Sequence, residues 1–174
     1  AYADFYESIW SYACRARGYY GLAMIEARRK KYAAAVEKLN ESLQSDGNNL
    51  WALHIKGILL GKLGNVCEAQ ECDEQLRKAD ILFIPDFCDT RYALHFAAEY
   101  IRFGLYEEAE SVLQKAKDNA LKFYYLAYLE NKLGRDAKQY LSKAEKENTA
   151  YNFPSRPDDV AILQWAGTPR SAYY

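Results

Sequence analysis

The chain has 174 residues, with 23 basic and 24 acidic side chains, a formal net charge of −1 and a sequence pI near 6.2. Half of the residues are apolar and 15% are aromatic, enough for a chain of this length to bury a core, which excludes intrinsic disorder. The balanced charge excludes a general nucleic-acid or anionic-membrane binder, which needs a basic excess. The longest apolar stretch, Ile58-Leu59-Leu60 between Lys56 and Lys62, falls far short of the roughly 20 residues of a membrane span.

Proline is scarce, β-branched runs are nearly absent, and Ala, Leu, Glu, Lys and Tyr fill stretches of period 3.6, so the chain reads as all-α. In chain order, residues 1–15 carry Ala1, Phe5 and Ser8 at the small, large and small positions of a second helix whose first helix is missing. Residues 16–49 hold a first helix in GYYGLAMIEARRKKY and a second in KYAAAVEKLNESL. Residues 50–83 repeat the plan with ALHIKGILLGKLGN and NVCEAQECDEQL. After a few residues containing Pro85, 90–119 hold ALHFAAEYIRFGLY and LYEEAESVLQKA. A shortened unit, 120–150, is carried by FYYLAYLENKLGRDAKQYLSKA. Residues 151–174 contain an irregular FPSR segment, a short helix, and in SAYY the opening of a further first helix.

The second helices share one spacing: Ala35/Leu39/Ser42, Ala69/Asp73/Leu76, Ala109/Leu113/Ala116 and Ala137/Leu141/Ala144. Ala35 to Ala69, and Tyr32 to Val66, are both 34 positions. That length and pattern resemble the tetratricopeptide (TPR) repeat. The resemblance implies a right-handed α-solenoid of antiparallel helix pairs, with about four repeats and partial ones at each end. Ala23, Gly57, Ala97 and Ala127, with Ala35, Ala69, Ala109 and Ala137, stand where the helices of a pair cross, because larger side chains would push the backbones apart. Tyr19, Leu22, Leu53, Phe96, Tyr100, Phe123 and Leu126 fill the spaces between them. Gly64 and Gly104 end first helices, where positive φ costs glycine nothing. Both ends fall inside a repeat, so the chain is expected to be an excerpt from a longer array, with self-association through its open apolar ends.

Several stretches are more specific than the repeat. YESIWSYACRARGYYGLAMIEARRKKYAAAVEKL, QLRKADILFIPDF, AAEYIRFGLYEEAESVL, LENKLGR and FPSRPDDVAILQWA, in that order, resemble the TPR half of a family of large bacterial proteins. In that family the array follows a β-sandwich domain similar to galactose mutarotases. The resemblance implies a bacterial protein, and it brings no catalytic residue with it. It also keeps an alternative in play, an accessory region of a carbohydrate-active protein whose β-sandwich lies outside this chain.

Enzyme chemistry, metal and cofactor are not expected. His54 and His95 are 41 positions apart on different first helices, and Cys67 and Cys72, five apart on one helix, miss both a common face and the CxxC spacing. Neither nucleophile-elbow, zincin, dinucleotide nor P-loop glycine motifs occur. Glu107-Glu108 and Asp158-Asp159 are read as acids favouring helix N-termini. The four cysteines, Cys14, Cys67, Cys72 and Cys88, are too few and irregular for a disulfide scaffold and are read as reduced, buried, small apolar residues. With an opening that places acids before bases, unlike a secretion signal, they predict cytoplasmic residence.

The resemblance also supplies a candidate surface, since fixed first-helix positions line the concave face of TPR arrays. Here they are Arg17, Tyr20, Met24 and Arg28; Trp51, His54, Ile58 and Lys62; Arg91, Leu94 and Arg102; and Tyr124, Tyr128, Asn131 and Lys132. Arg28, Lys62, Arg102 and Lys132 occupy equivalent places. With Tyr20, Trp51, Tyr124 and Tyr128 this ladder of cations suits an acidic protein or peptide, or a neighbouring domain. Tyr124 and Tyr128, one turn apart, are expected on the face and not in packing. The clamp that TPR proteins use for chaperone-tail carboxylates needs Lys and Asn where Tyr20 and Met24 stand, so a chaperone co-factor is not expected. Sixteen tyrosines also suit stacking on sugar rings, the chemistry of the alternative reading.

Overall fold

The computed structural model describes residues 1–79, 89–147 and 153–173; the expectations placed on Pro85, Cys88 and Tyr174 lie outside them. Among the described residues the fold is all-helical, with ten α-helices, a closing 3₁₀ turn and no strand. The chain divides into two compact units, Ala1–Pro85 and Asp86–Tyr174.

Unit 1 holds α1 (Tyr2–Ser8), α2 (Arg15–Arg28), α3 (Tyr32–Ser45), α4 (Leu50–Lys62) and α5 (Val66–Ala79). Consecutive helices pack: α1 on α2, α2 on α3, α3 on α4 and α4 on α5. Asn49 caps α4 by accepting the Ala52 N–H at 3.0 Å, and Gly64, at φ 81°, ends it. After α2, which lacks such a glycine, Lys30 takes φ 61°, a conformation that costs a non-glycine residue on the order of 1 kcal/mol. Leu22, Ala23, Ala35, Leu39, Ile55, Leu59, Leu60 and Leu76 form the core. Two glycines let α1 lie directly on α2: a Cβ on Gly18 would stand 2.4 Å from Ser8 Oγ, and one on Gly21 would stand 2.4 Å from the Phe5 ring. Ser42 fixes α3 to α2 by donating to the Ala16 carbonyl at 2.8 Å.

Unit 2 holds α6 (Thr90–Phe103), α7 (Tyr106–Lys115), α8 (Ala120–Lys132), α9 (Lys138–Lys146), α10 (Pro157–Ala166) and a 3₁₀ turn, Ser171–Tyr173. Asp89 and Asn119 cap α6 and α8 through the Arg91 and Lys122 N–H groups. Gly104, Gly134 and Gly167, at φ 73°, 75° and 57°, end α6, α8 and α10. α6 packs on α7, α7 on α8 and α8 on α9, whereas α10 packs on α8. That is why α8 is hydrophobic nearly all round and buries every residue from Ala120 to Ala127. After α10 the left-handed Gly167 turns the backbone, and Ser171–Tyr173 form the 3₁₀ turn.

Of the small residues, Ala23, Ala35, Gly57, Ala97, Ala109 and Ala127 are buried, while Ala69 and Ala137 are half-buried. The cysteine expectation needs correction. Cys72 is buried, but Cys14 and Cys67 are exposed. Cys14 is the N-cap of α2 and lies outside its packed stripe, and α5 buries only Cys72 and Leu76, so Cys67 falls on its outward side.

Candidate functional site

In unit 2, α10 lies on α8 and reaches α6, and the side chains between them are charged and aromatic. Arg102, in the last turn of α6, forms a two-pronged pair with Asp158 of α10: Nε donates to Oδ1 at 3.1 Å and Nη2 to Oδ2 at 2.5 Å. Nη1 donates to Glu99 at 3.2 Å, which fixes the guanidinium from its own helix. The Arg102 side chain is 45% exposed, so the pair contributes at most about 1 kcal/mol and mainly orients α10.

One residue on, Asp159 is 1% exposed. It accepts the Tyr125 hydroxyl at 2.6 Å, the Ser155 and Arg156 N–H groups at 2.9 and 3.0 Å, and Arg156 Nη2 at 3.1 Å. Burial alone would raise the Asp159 pKa, but these four donors together hold it below the usual carboxylate value. Burial, reinforced by the Asp159 charge, raises that of the Tyr125 hydroxyl. Asp159 thus caps the helix that Pro157 opens and ties it to α8 in the same contacts.

At the other end of α10, Trp165 meets Tyr128 edge to face, with ring centroids 5.2 Å apart, and Lys132 Nζ lies 5.1 Å from the centre of the Tyr128 ring. Between these anchors a cleft of about 300 Å³ remains, lined by Ala98 and Ile101 of α6, Tyr128 and Lys132 of α8, and Ala161, Ile162 and Trp165 of α10. His95, on α6, has its pKa lowered by burial and by the Arg156 and Arg102 charges, against the pull of Glu99 and Asp158. Past Gly167, Thr168 and the Tyr124 hydroxyl both donate to Glu145 Oε1, at 2.5 and 2.6 Å, and Arg170 donates to the Glu145 carbonyl. Burial would raise the Glu145 pKa, but Thr168, Tyr124 and Arg170 lower it on balance. These bonds seat the chain after α10 on the end of α9.

Of the residues that the sequence assigned to the face in unit 2, Arg102, Tyr128 and Lys132 come together against α10. Tyr124 does not: it is fully buried, with its hydroxyl spent on Glu145, because α9 and the segment after α10 close over that side of α8. Leu94 is buried as well. Arg91 is exposed and pairs with Asp89, the cap of its own helix, at 3.1 Å. Asn131 is exposed. In unit 1, Arg17, Arg28 and Lys62 are exposed, and Tyr20, Met24, Trp51, His54 and Ile58 are half-buried. Trp51 and His54 meet edge to face with centroids 6.2 Å apart. Burial pushes the His54 pKa down to about 4 against the Asp73 charge, which leaves the imidazole neutral at pH 7.

The residues missed are Asp158, Asp159, Tyr125 and Trp165. Adjacent acids at a helix start signal only a favourable helix-end charge. Tyr125 and Tyr128, three apart, share the side of α8 that meets α10, and that spacing in FYYLAY was the available signal.

Family models, curated proteins and solved structures alike give no match to this chain. Among the described residues no group of three or more His, Cys, Asp and Glu side chains is placed to hold a metal ion. No helix among them is long and apolar enough to cross a membrane.

Proposed function

We propose that the chain is a TPR-type helical-repeat scaffold without catalytic chemistry of its own, and that it binds a protein or peptide partner, or a neighbouring domain, through first-helix faces. The 34-residue spacing, the buried small residues at helix crossings and the glycine-ended first helices support the repeat reading. The free thiols fit a reducing cytoplasm. The observation that carries the binding reading is that α6 and α8 already hold a helix, α10, through Arg102 to Asp158 and Tyr128 to Trp165. A surface that accepts an acidic, aromatic helix in cis has the chemistry to accept one in trans.

The test is selection of helical peptides from a displayed library against the full chain, followed by titration of the selected peptides against a chain carrying Arg28→Ala, Lys62→Ala and Arg102→Ala together. Acidic peptides should be selected, and their affinity should fall by about tenfold or more with far-UV circular dichroism unchanged. Failure to select any peptide, or affinity untouched by the triple substitution, counts against the reading.

A further inference from the structure

α10 differs from the other helices of unit 2 in packing chiefly on α8, not on the helix that precedes it. It buries Asp159, Ile162 and Leu163, while Val160 and Trp165 remain 43% and 37% exposed. The contacts of α10 are also incomplete. The cleft of about 300 Å³ beside Ala161 is lined by Lys132 and Asp158 and by Ala98, Ile101 and Tyr128, whose apolar atoms a larger side chain from the helix above would touch. The side chains that bond across are Arg102, Tyr125 and Tyr128 from α6 and α8, and the adjacent carboxylates Asp158 and Asp159 with the Trp165 indole from α10; Glu99 and Arg156 brace them from their own sides.

Resting on the scaffold reading above, we infer that α10 is a resident, exchangeable occupant, and that the α6/α8 face takes in its place a partner helix with two adjacent carboxylates in its first turn, a large apolar residue two positions after the second, and an aromatic residue four positions after that. The first three features correspond to Asp158, Asp159 and Ala161, and the last to Trp165. A side chain larger than alanine at the third place fills the cleft that α10 leaves open, so such a helix outcompetes α10 for the same anchors. The tether raises the effective concentration of α10, and it therefore sets the threshold that a partner must pass.

The experiment uses the full chain and two labelled synthetic peptides, residues 153–167 and the same segment carrying Ala161→Leu. Fluorescence anisotropy gives the affinities, and hydrogen exchange reports α10. The Ala161→Leu peptide should bind about tenfold more tightly than the unchanged peptide, as expected for the added buried methylenes. At saturation it should speed amide exchange in 157–166 of the intact chain. Asp158→Ala with Trp165→Ala in the chain should strengthen binding of both peptides, and the milder Asp158→Asn with Trp165→Phe should shift affinity in the same direction if the first pair perturbs folding. Added to the Asp158→Ala, Trp165→Ala chain, in which α10 no longer competes for it, Arg102→Ala should weaken binding of both peptides by up to about fivefold. Equal affinity of the two peptides, or binding that leaves α10 exchange unchanged, would overturn the exchange and leave the scaffold reading standing. If neither these peptides nor any from the library bind, both fall.

Discussion

At the scale of single residues, glycines decide how closely helices approach, and two of them make opposite predictions. Gly21 lies under Phe5, where an added Cβ would stand 2.4 Å from two ring carbons, whereas Gly61, in α4, meets nothing within 4 Å. In a helix interior, alanine is worth up to about 1 kcal/mol over glycine. At Gly61 that gain is unopposed, so Gly61→Ala should raise stability by about 0.5–1 kcal/mol in urea unfolding. At Gly21 the ring must move, and overpacking of this kind costs about 1–3 kcal/mol. Gly21→Ala should therefore destabilise the chain and speed amide exchange in α1, and adding Phe5→Ala should recover much of the penalty that the clash causes. A stable Gly21→Ala chain with α1 still protected would show that α1 is not seated by this contact. The sequence carried half of this information. Phe5 and Ser8 were legible as the large and small members of a helix-crossing pattern, but Gly18 and Gly21 lie outside the spacing that marked the other crossings. Cys14 and Cys67 failed for a related reason: composition says that a free cysteine is a small apolar residue, but only the helix register says which side of the helix it occupies.

At the scale of elements, α4, α6 and α8 were readable because each joins a period of 3.6 to a capping side chain and a terminating glycine, as Asn49 and Gly64 do for α4, whereas α2, α3, α7 and α9 rested on the period alone. α10 was readable as a helix but not as an occupant of the α6/α8 face, since its docking depends on residues more than 30 positions apart, Tyr125 with Asp159 and Arg102 with Asp158. The misplacement of Tyr124 has the same origin, for the segment that buries it comes from Glu145 and Thr168. Asp159 makes the attachment of α10 pH-dependent. Its folded-state pKa lies below the ordinary 3.8, so its contribution is complete above 3.8, declines as the pH falls below that value and is gone beneath the folded-state pKa. Trp165 emission, isolated by difference from a Trp165→Phe chain, should change in that acid window. Asp159→Asn, which cannot titrate, should lose the step. The asparagine chain should also bind α10 less tightly at pH 7, by about 1–3 kcal/mol, because the Tyr125 and Arg156 donors lose a charged acceptor. A step that persists in Asp159→Asn would assign the pH response to another carboxylate.

At the scale of the whole molecule, the division into two compact units is a statement about where destabilisation should stop. Leu22, Leu39, Ile55, Leu59, Leu60 and Leu76 are fully buried in unit 1, and Phe103, Leu105, Leu113, Tyr124, Tyr125 and Leu126 in unit 2, so each unit has a core of its own. Repeat arrays are stabilised by each unit and by its nearest neighbours, without one core shared by all. Leu39 is fully buried at the crossing of α3 with α2, beside Ala35 and one turn from Ser42, whose hydroxyl ties the two helices. Leu39→Ala should cost about 2–5 kcal/mol, the range for removing a buried leucine from a core that cannot fully close. If the units fold as separate cores, native-state hydrogen exchange should lose protection across α2, α3 and α4 by an amount close to that cost, while α7 and α8 lose little. Leu113→Ala in α7 should give the converse pattern. Two substitutions in different units should then add in denaturant unfolding, as independent sites do. An equal loss of protection in both units from either substitution would show that the chain unfolds as one cooperative body, and the repeat reading would then have to treat all of α1 to α10 as a single folding unit.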